Sequence, residues 1–298
     1  MKFGKVDNPG ELDLSLPPDH PQTVVTLNNY LESDKELEIS VGCAKWNKTD
    51  LKNFYPKGTK DELAYYATQF NSIELNAFFY RIFPPEQVEK WNEKSADGFK
   101  FYPKVPQLIS QFRRLKNCEQ ELEDYIHSIS TFGEKLGSCF LQMHPNYTPK
   151  SWDDFVIFIE NWPKEIPLVV EFRDIRWYEG TVAEELFHLL EANNIGTIIT
   201  DTAGRRDLMH MRLTNHTCFI RYTGANHESD YTRLDDWVER LKDWKEQGIK
   251  EINFFVHQNM EKESPLLAAY FIEKLNKELG STIKVPKGLA DTQGSLEI

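Results

Sequence analysis

The sequence predicts an α/β fold of the TIM-barrel-like (β/α)8 kind, preceded by an irregular N-terminal extension. Three observations carry this expectation. Eight short runs rich in β-branched and aromatic residues alternate with helical patterns, as a parallel sheet with helical cover requires. The alternation repeats at roughly 30 residues per unit, which is barrel spacing. The turn after the first run reads Val41-Gly42-Cys43-Ala44-Lys45-Trp46 and lacks the glycine-rich phosphate loop that a doubly wound open sheet usually carries there.

The expected strands are 38–43, 72–79, 99–105, 138–143, 168–173, 197–201, 218–223 and 251–257. The expected helices begin with 61–70, where Leu63, Tyr66, Ala67 and Phe70 fall at helical spacing. Next is 84–94, opened by prolines that suit a first turn. Helical patterns at 119–132, 152–162, 182–193, 234–247 and 266–279 follow, and Gly248 and Gly280 stand where helix-ending glycines belong. The connection 204–213 is too short and irregular for a full helix. Residues 1–37, with Pro9, Pro17, Pro18 and Pro21, read as an arm wrapped on the barrel or partly disordered. The barrel is expected over 38–283 and a tail over 284–298. No linker-like run divides the barrel.

An apolar fraction of 40% with 13% aromatics suffices for a large core and excludes global disorder. The net charge of −12 argues against bulk nucleic-acid binding, which draws its affinity from phosphate neutralisation. A local basic pocket is compatible with it. Cys43, Cys118, Cys139 and Cys218 form no CxxC pair, so a structural zinc site is not expected and a reducing compartment is. With no signal-like segment at the start and no stretch of membrane-spanning length, the expectation is a cytoplasmic protein without a membrane partner.

Side chains alternate across a strand. With the apolar face of each strand turned to the helices, a polar set points into the lumen. It comprises Glu74 and Asn76, then Lys100, Tyr102 and Lys104, then Gln142 and His144, then Glu171 and Arg173, then Asp201, Arg221, and finally His257 and Asn259. These cluster toward the C-terminal ends of the strands, where barrel enzymes place their sites. Glu74, Glu171, Asp201 and Lys104 are the candidate catalytic residues. Asn76, Gln142, Arg173, Arg221, His257 and Asn259 are candidate substrate-binding residues, and Trp46 and Trp177 are candidate stacking platforms. Against this stands a structural alternative in which the ion pairs simply lock neighbouring strands. Replacing buried ion pairs by apolar side chains is often neutral or stabilising by about 1–4 kcal/mol, so their presence calls for a reason. His127 and His188 sit on expected helices and read as surface or packing residues. His144, before Pro145, reads as a strand cap, and core packing is an equal alternative for Trp46, Trp177 and Tyr222.

The ordered series of motifs resembles the YecE-like family, a domain of unknown function (DUF72). The carrying segments are Val41-Gly42-Cys43-Ala44-Lys45-Trp46, Phe54-Tyr55-Pro56, Leu63-Ala64-Tyr65-Tyr66-Ala67, and Phe70-Asn71-Ser72-Ile73-Glu74-Leu75-Asn76. Phe78-Phe79-Tyr80, Gly98-Phe99-Lys100-Phe101 with Lys104, Leu136-Gly137, Phe140-Leu141-Gln142, and Glu171-Phe172-Arg173 with Trp177 continue it. The resemblance spans roughly residues 38 to 280. It implies a TIM-barrel-like fold and supplies no activity, substrate or catalytic residue. Glu74, Asn76, Lys104, Gln142, Glu171, Arg173 and Asp201 match the family's polar positions. Arg221-Tyr222-Thr223-Gly224 departs from the family's Arg-Leu-His-Gly, and Val256-His257-Gln258-Asn259 departs from its paired asparagines, with His257 standing as a local substitute.

Three functions follow as expectations, with any cofactor left unknown. The first is an enzyme acting on an anionic small molecule, such as a phosphorylated sugar or nucleotide, with Lys104, Arg173 and Arg221 on the anion and Glu74 or Glu171 exchanging protons. The second is a metal-dependent hydrolase or isomerase, with a nucleic-acid end as one candidate substrate and Glu74, Glu171, Asp201 and His257 as ligands. It is opposed by the scarcity of histidines at the mouth and by competing cations, so no metal ligand is assigned. The third is a non-catalytic ligand-binding module. A Schiff-base role for Lys104 ranks below these, because adjacent carboxylates are expected to keep the ammonium charged.

Overall fold

A computed structural model describes residues 3–287. Eight parallel strands run in the order β3-β2-β1-β8-β7-β6-β5-β4. They are β1 (Glu38–Cys43), β2 (Ser72–Leu75), β3 (Lys100–Pro103), β4 (Cys139–Gln142), β5 (Leu168–Glu171), β6 (Gly196–Thr202), β7 (Thr217–Gly224) and β8 (Glu251–Gln258). β3 and β4 meet through two parallel bridges, Phe101 with Leu136 and Lys104 with Phe140, which brings the sheet close to a closed barrel. The helices are α1 (Pro21–Asn28), α2 (Glu62–Gln69), α3 (Ala77–Tyr80), α4 (Pro85–Lys94), α5 (Glu119–Ser130), α6 (Trp152–Asn161), α7 (Gly180–Ala192), α8 (Ser229–Gln247) and α9 (Ser264–Leu279). A 3-10 segment, Ala203–Leu208, takes the helix's place between β6 and β7.

Local chemistry sets these elements. Asp61 caps α2 by accepting from the Ala64 amide at 3.0 Å, and Leu63, Tyr66 and Ala67 bury its inner face. α8 buries Leu234, Trp237, Val238, Leu241 and Trp244 along one stripe and ends at Gly248, whose φ of 111° is left-handed. Gly42 is dictated by close approach: a Cβ there would lie 2.2 Å from the Ser72 carbonyl oxygen of the paired strand. The second strand is shorter than expected. Asn76 turns the backbone into the right-handed helical region, and α3 carries Phe78 outward against Phe83, Trp91 and Tyr125. A strand continued through 79 would have driven Phe78 into the lumen instead.

The apolar residues form two layers. The larger lies between strands and helices; the smaller is a plug inside the barrel made of Tyr102, Phe140, Val169, Ile198, Phe219 and Phe255. Below the plug, the Tyr102 hydroxyl bonds Ser40 Oγ at 2.8 Å and Asn253 Oδ1 at 2.5 Å. The lumen is therefore filled at mid-height, and the plug separates a small cavity at the N-terminal ends of β4 to β8 from the C-terminal end, where barrel enzymes place their sites.

The arm runs along the β6, β7 and α8 side. The Gly4 carbonyl accepts from the Gly204 amide at 2.8 Å, and Arg206 donates to the Ser15 carbonyl at 2.6 Å. Asp19 pairs with Arg240 at 2.5 Å and accepts from the Trp244 indole at 2.9 Å. Leu27 of α1 is fully buried. Of the expected tail, residues 284–287 pass the end of α2, where the Lys287 amide donates to Gln69 at 3.1 Å; residues 288–298 lie outside the described residues. All four cysteines are buried free thiols. No described helix is long and apolar enough to cross a membrane.

Candidate active site at the barrel mouth

Above the plug, the inward positions of β2, β4, β5, β7 and β8 and the residue that follows β3 bring one hydrogen-bonded chain of polar groups together. Arg221 stands at its centre. Its Nε and Nη2 grip both oxygens of Glu74 at 2.8 and 3.0 Å, and its Nη1 holds Glu171 Oε2 at 2.9 Å. Glu171 also accepts from Arg173 Nε at 2.9 Å and from Gln142 Nε2 at 2.8 Å. Glu74 also accepts from Asn76 Nδ2 at 2.8 Å and meets His257 Nε2 at 3.0 Å. Gln142 presents its remaining oxygen to Lys104 Nζ at 2.8 Å.

The charges follow from these partners. Burial alone would raise Glu171, but Arg173, Arg221 and the Gln142 amide hold its pKa at about 2. Glu74 is likewise held well below the usual carboxylate range, Arg221 and His257 outweighing burial. Both are therefore fixed anions. Lys104 behaves differently. Burial and the guanidinium of Arg221, with Arg173 adding to them, outweigh the attraction of Glu74 and Glu171 and bring its pKa to about 7. It forms no ion pair with any described carboxylate, and its nitrogen sits 4.2 Å from the centre of the Phe79 ring.

This chain underlies a cavity of about 920 Å³, large enough for a small metabolite. Glu74, Asn76, Lys104, Gln142, Arg173, His257, Asn259 and Trp46 all line it. Glu171 and Arg221 lie just beneath, each almost fully buried. Two expected residues are elsewhere. Asp201 faces outward, pairing with Arg233 at 2.5 Å and with the Trp237 indole at 2.8 Å. The register explains it: Thr200 stands beside Arg221 on the inner face, which leaves Asp201 beside Tyr222 on the outer one. Trp177 is also outside, stacked on Phe172 at 4.1 Å with its indole donating to the Tyr147 carbonyl. Tyr222 packs in that same outer layer, beneath Arg233. Lys100, though on the inner face of β3, reaches the opposite rim and bonds the Glu134 carbonyl. His144 turns back to accept from the Asn146 amide.

The metal reading required Glu74, Glu171, Asp201 and His257 to converge. Asp201 is on the far side of the sheet, and Arg221 occupies both inner carboxylates. Among the described residues no group of three or more His, Cys, Asp or Glu side chains is placed to hold a metal ion. These residues do not fit a metal.

Residues 40–290 match the family model described as "Protein of unknown function DUF72". The chain belongs to the DUF72 family. The Escherichia coli K12 protein YecE, of the UPF0759 group, is 24% identical over 275 residues, covering 84% of this chain and 98% of that one. Bacillus subtilis YunF is 22% identical over 246 residues, covering 70% and 85%. Crystal structures of DUF72 family proteins from Enterococcus faecalis V583 and Thermotoga maritima MSB8 share the fold, each with a TM-score of 0.65. The first is 18% identical and covers 83% of this chain and 100% of that one; the second is 20% identical and covers 82% and 99%.

Relative to the DUF72 match, the arm lies wholly upstream, yet it reaches the site: the Phe3 ring lies 4.1 Å from the Arg173 guanidinium carbon. Sequence reasoning missed Phe3, and no local signal marks it. It also missed Gln111, whose amide bonds the Gln142 carbonyl at 2.6 Å from a π-helical turn over Leu108–Phe112. Phe79 sat within a noted motif, but as part of a strand its ring would have pointed away from Lys104.

Proposed function

We propose that this DUF72 protein is an enzyme acting on a small anionic molecule held in the mouth of its barrel. The observation that carries the reading is the unspent donor capacity of Arg173. Its Nε is committed to Glu171, while its two terminal nitrogens meet no acceptor among the described residues and the side chain lines the cavity. A planar fork left open beside a cavity suits a carboxylate or phosphate. Charge is compatible with the same reading: Arg173 and Arg221 offset Glu74 and Glu171, and a protonated Lys104 adds positive charge to a wall that also carries Glu261. Asn259 offers its side-chain amide and Asn76 its side-chain oxygen to neutral groups, and Trp46 and Phe79 offer apolar faces. Because Glu74 and Glu171 are fixed anions, proton exchange falls to His257, which Glu74 orients, and to Lys104.

The test is a thermal-shift screen of phosphorylated and carboxylate metabolites on wild type and Arg173→Gln. The reading expects at least one anion to raise the melting temperature, and the variant to bind it about tenfold more weakly or worse, as loss of a charge-assisted pair implies. If no anion stabilises the protein, or if the variant responds like wild type, the reading fails.

A further inference from the structure

We propose that Lys104 is the catalytic nucleophile of this site, its amine forming an imine with a substrate that carries a carbonyl group beside its anionic group. The inference rests on the anion site proposed above and gives it a reaction. Lys104 is the one buried lysine among the described residues, yet it borders the open cavity. Every carboxylate oxygen near it is taken: Arg221 grips Glu74 and Glu171, and Arg173 takes the remaining oxygen of Glu171. Its one polar partner is Gln142 Oε1, a neutral acceptor. The rings of Phe79 and Phe140, with centres 4.2 and 5.5 Å from Nζ, supply apolar surroundings. A purely structural lysine needs a counter-ion, and this one has been denied it by two arginines.

The same arrangement frees the lone pair. Burial with two nearby guanidinium groups brings the amine to about 7, so near neutrality half of it is unprotonated, which is the state that attacks carbonyls. Arg173, in the same cavity, would hold the substrate's anionic group and set the carbonyl before the amine. The lone pair of Nζ attacks the carbonyl carbon, and the C=O π pair moves onto oxygen. One proton passes from nitrogen to that oxygen, giving a carbinolamine. A second proton, taken from solvent in the open cavity, lets the hydroxyl leave as water, and the nitrogen lone pair closes the cationic C=N bond. Nothing is oxidised or reduced in this step.

The test incubates the full chain at pH 7 with cyanoborohydride and either pyruvate or dihydroxyacetone phosphate, followed by peptide mapping. The two arms separate a carboxylate from a phosphate as the anionic group. An exposed lysine near its ordinary pKa holds about a thousandth as much free amine as one at 7. Lys104 is therefore expected to carry the reduced adduct at least about tenfold faster than any exposed lysine in one arm, even after allowing for its burial. Lys104→Arg should remove that adduct, and Arg173→Gln should slow it by about tenfold. Labelling at Lys104 no faster than at exposed lysines in both arms overturns the imine. Lactate and glycerol 3-phosphate, the carbonyl-free counterparts, separate the two failures. If they stabilise wild type through Arg173 while Lys104 stays unlabelled, the anion site stands and the nucleophile falls. If they do nothing either, both fall. The outcome is read on wild-type labelling, so a variant that does not fold leaves the test intact.

Discussion

The molecule buries two clusters of charge built from the same residue types, one inside the barrel mouth and one on its outer face. In the outer cluster Asp201 binds Arg233, Arg206 and the Trp237 indole, while Arg233 also reaches Asp230 and covers the Tyr222 ring at 4.5 Å. Its contacts join β6, β7, α8 and, through Arg206, the N-terminal arm. Arg233 Nε alone lacks a partner there, and that side chain is enclosed at 2% exposure. The inner cluster uses Glu74, Glu171 and Arg221 in the same way, but it leaves the Arg173 fork and the Lys104 amine facing a cavity. Buried charge by itself therefore marks no function. What sets the inner cluster apart is donors left unspent beside open volume.

This contrast can be broken at several points. The largest effect is expected from Arg233→Met, which strands Asp201 with a single cation and should cost about 3–5 kcal/mol in urea unfolding. If the outer cluster is structural, the anion response of the surviving folded protein stays unchanged; a lost response would merge the two regions.

Glu171→Gln tests the inner pair by acid. The folded pKa of about 2 lies below the ordinary 4.5, so the carboxylate's contribution is complete above 4.5 and fades as pH falls toward 2. The stability gap between wild type and variant should be about 2–3 kcal/mol near neutrality and close across that window. A pH-independent gap would show that Glu171 is not held as an ion.

Lys104→Met should go the other way and stabilise the protein by about 1–2 kcal/mol at pH 6, because it removes a buried charge without a counter-ion. Between 7 and 10.5 the unfolded chain holds a proton that the folded chain has released, so wild type gains stability with rising pH. The variant's advantage should therefore vanish and then reverse toward pH 10 in parallel melting curves. The smallest change is Phe3→Ala: loss of a cation–π contact worth about 0.5–1 kcal/mol should weaken anion binding a few-fold and leave the melting temperature nearly constant.

Much of this candidate site is legible in the sequence. The alternation in β2, β5 and β8 placed Glu74, Glu171, Arg173 and His257 on the correct face, because each of those strands has one plainly apolar side. β6 defeated the same rule. Gly196-Thr197-Ile198-Ile199-Thr200-Asp201-Thr202 puts an isoleucine on each side, so the pattern carries no facing signal and only the pairing with β7 decides it. For Trp177, where ligand stacking and core packing stand as equal alternatives in the sequence, the 3-10 turn after β5 puts the ring into the core against Phe172. The lowered pKa of Lys104 departs from expectation for a different reason. The sequence shows which charges are close, but not that Arg221 takes both carboxylates for itself. Apportioning of partners is a property of side-chain geometry.

Direct titration of Lys104 decides the matter. Reductive methylation with carbon-13 formaldehyde, assigned with Lys104→Arg, lets the methyl shift of this residue be followed by NMR from pH 5 to 11. An inflection is expected near the value of about 7 set by burial and the two guanidinium groups. An inflection at the ordinary lysine value of 10.5 would mean that a carboxylate still holds the ammonium, and the distinction between the two clusters would be lost.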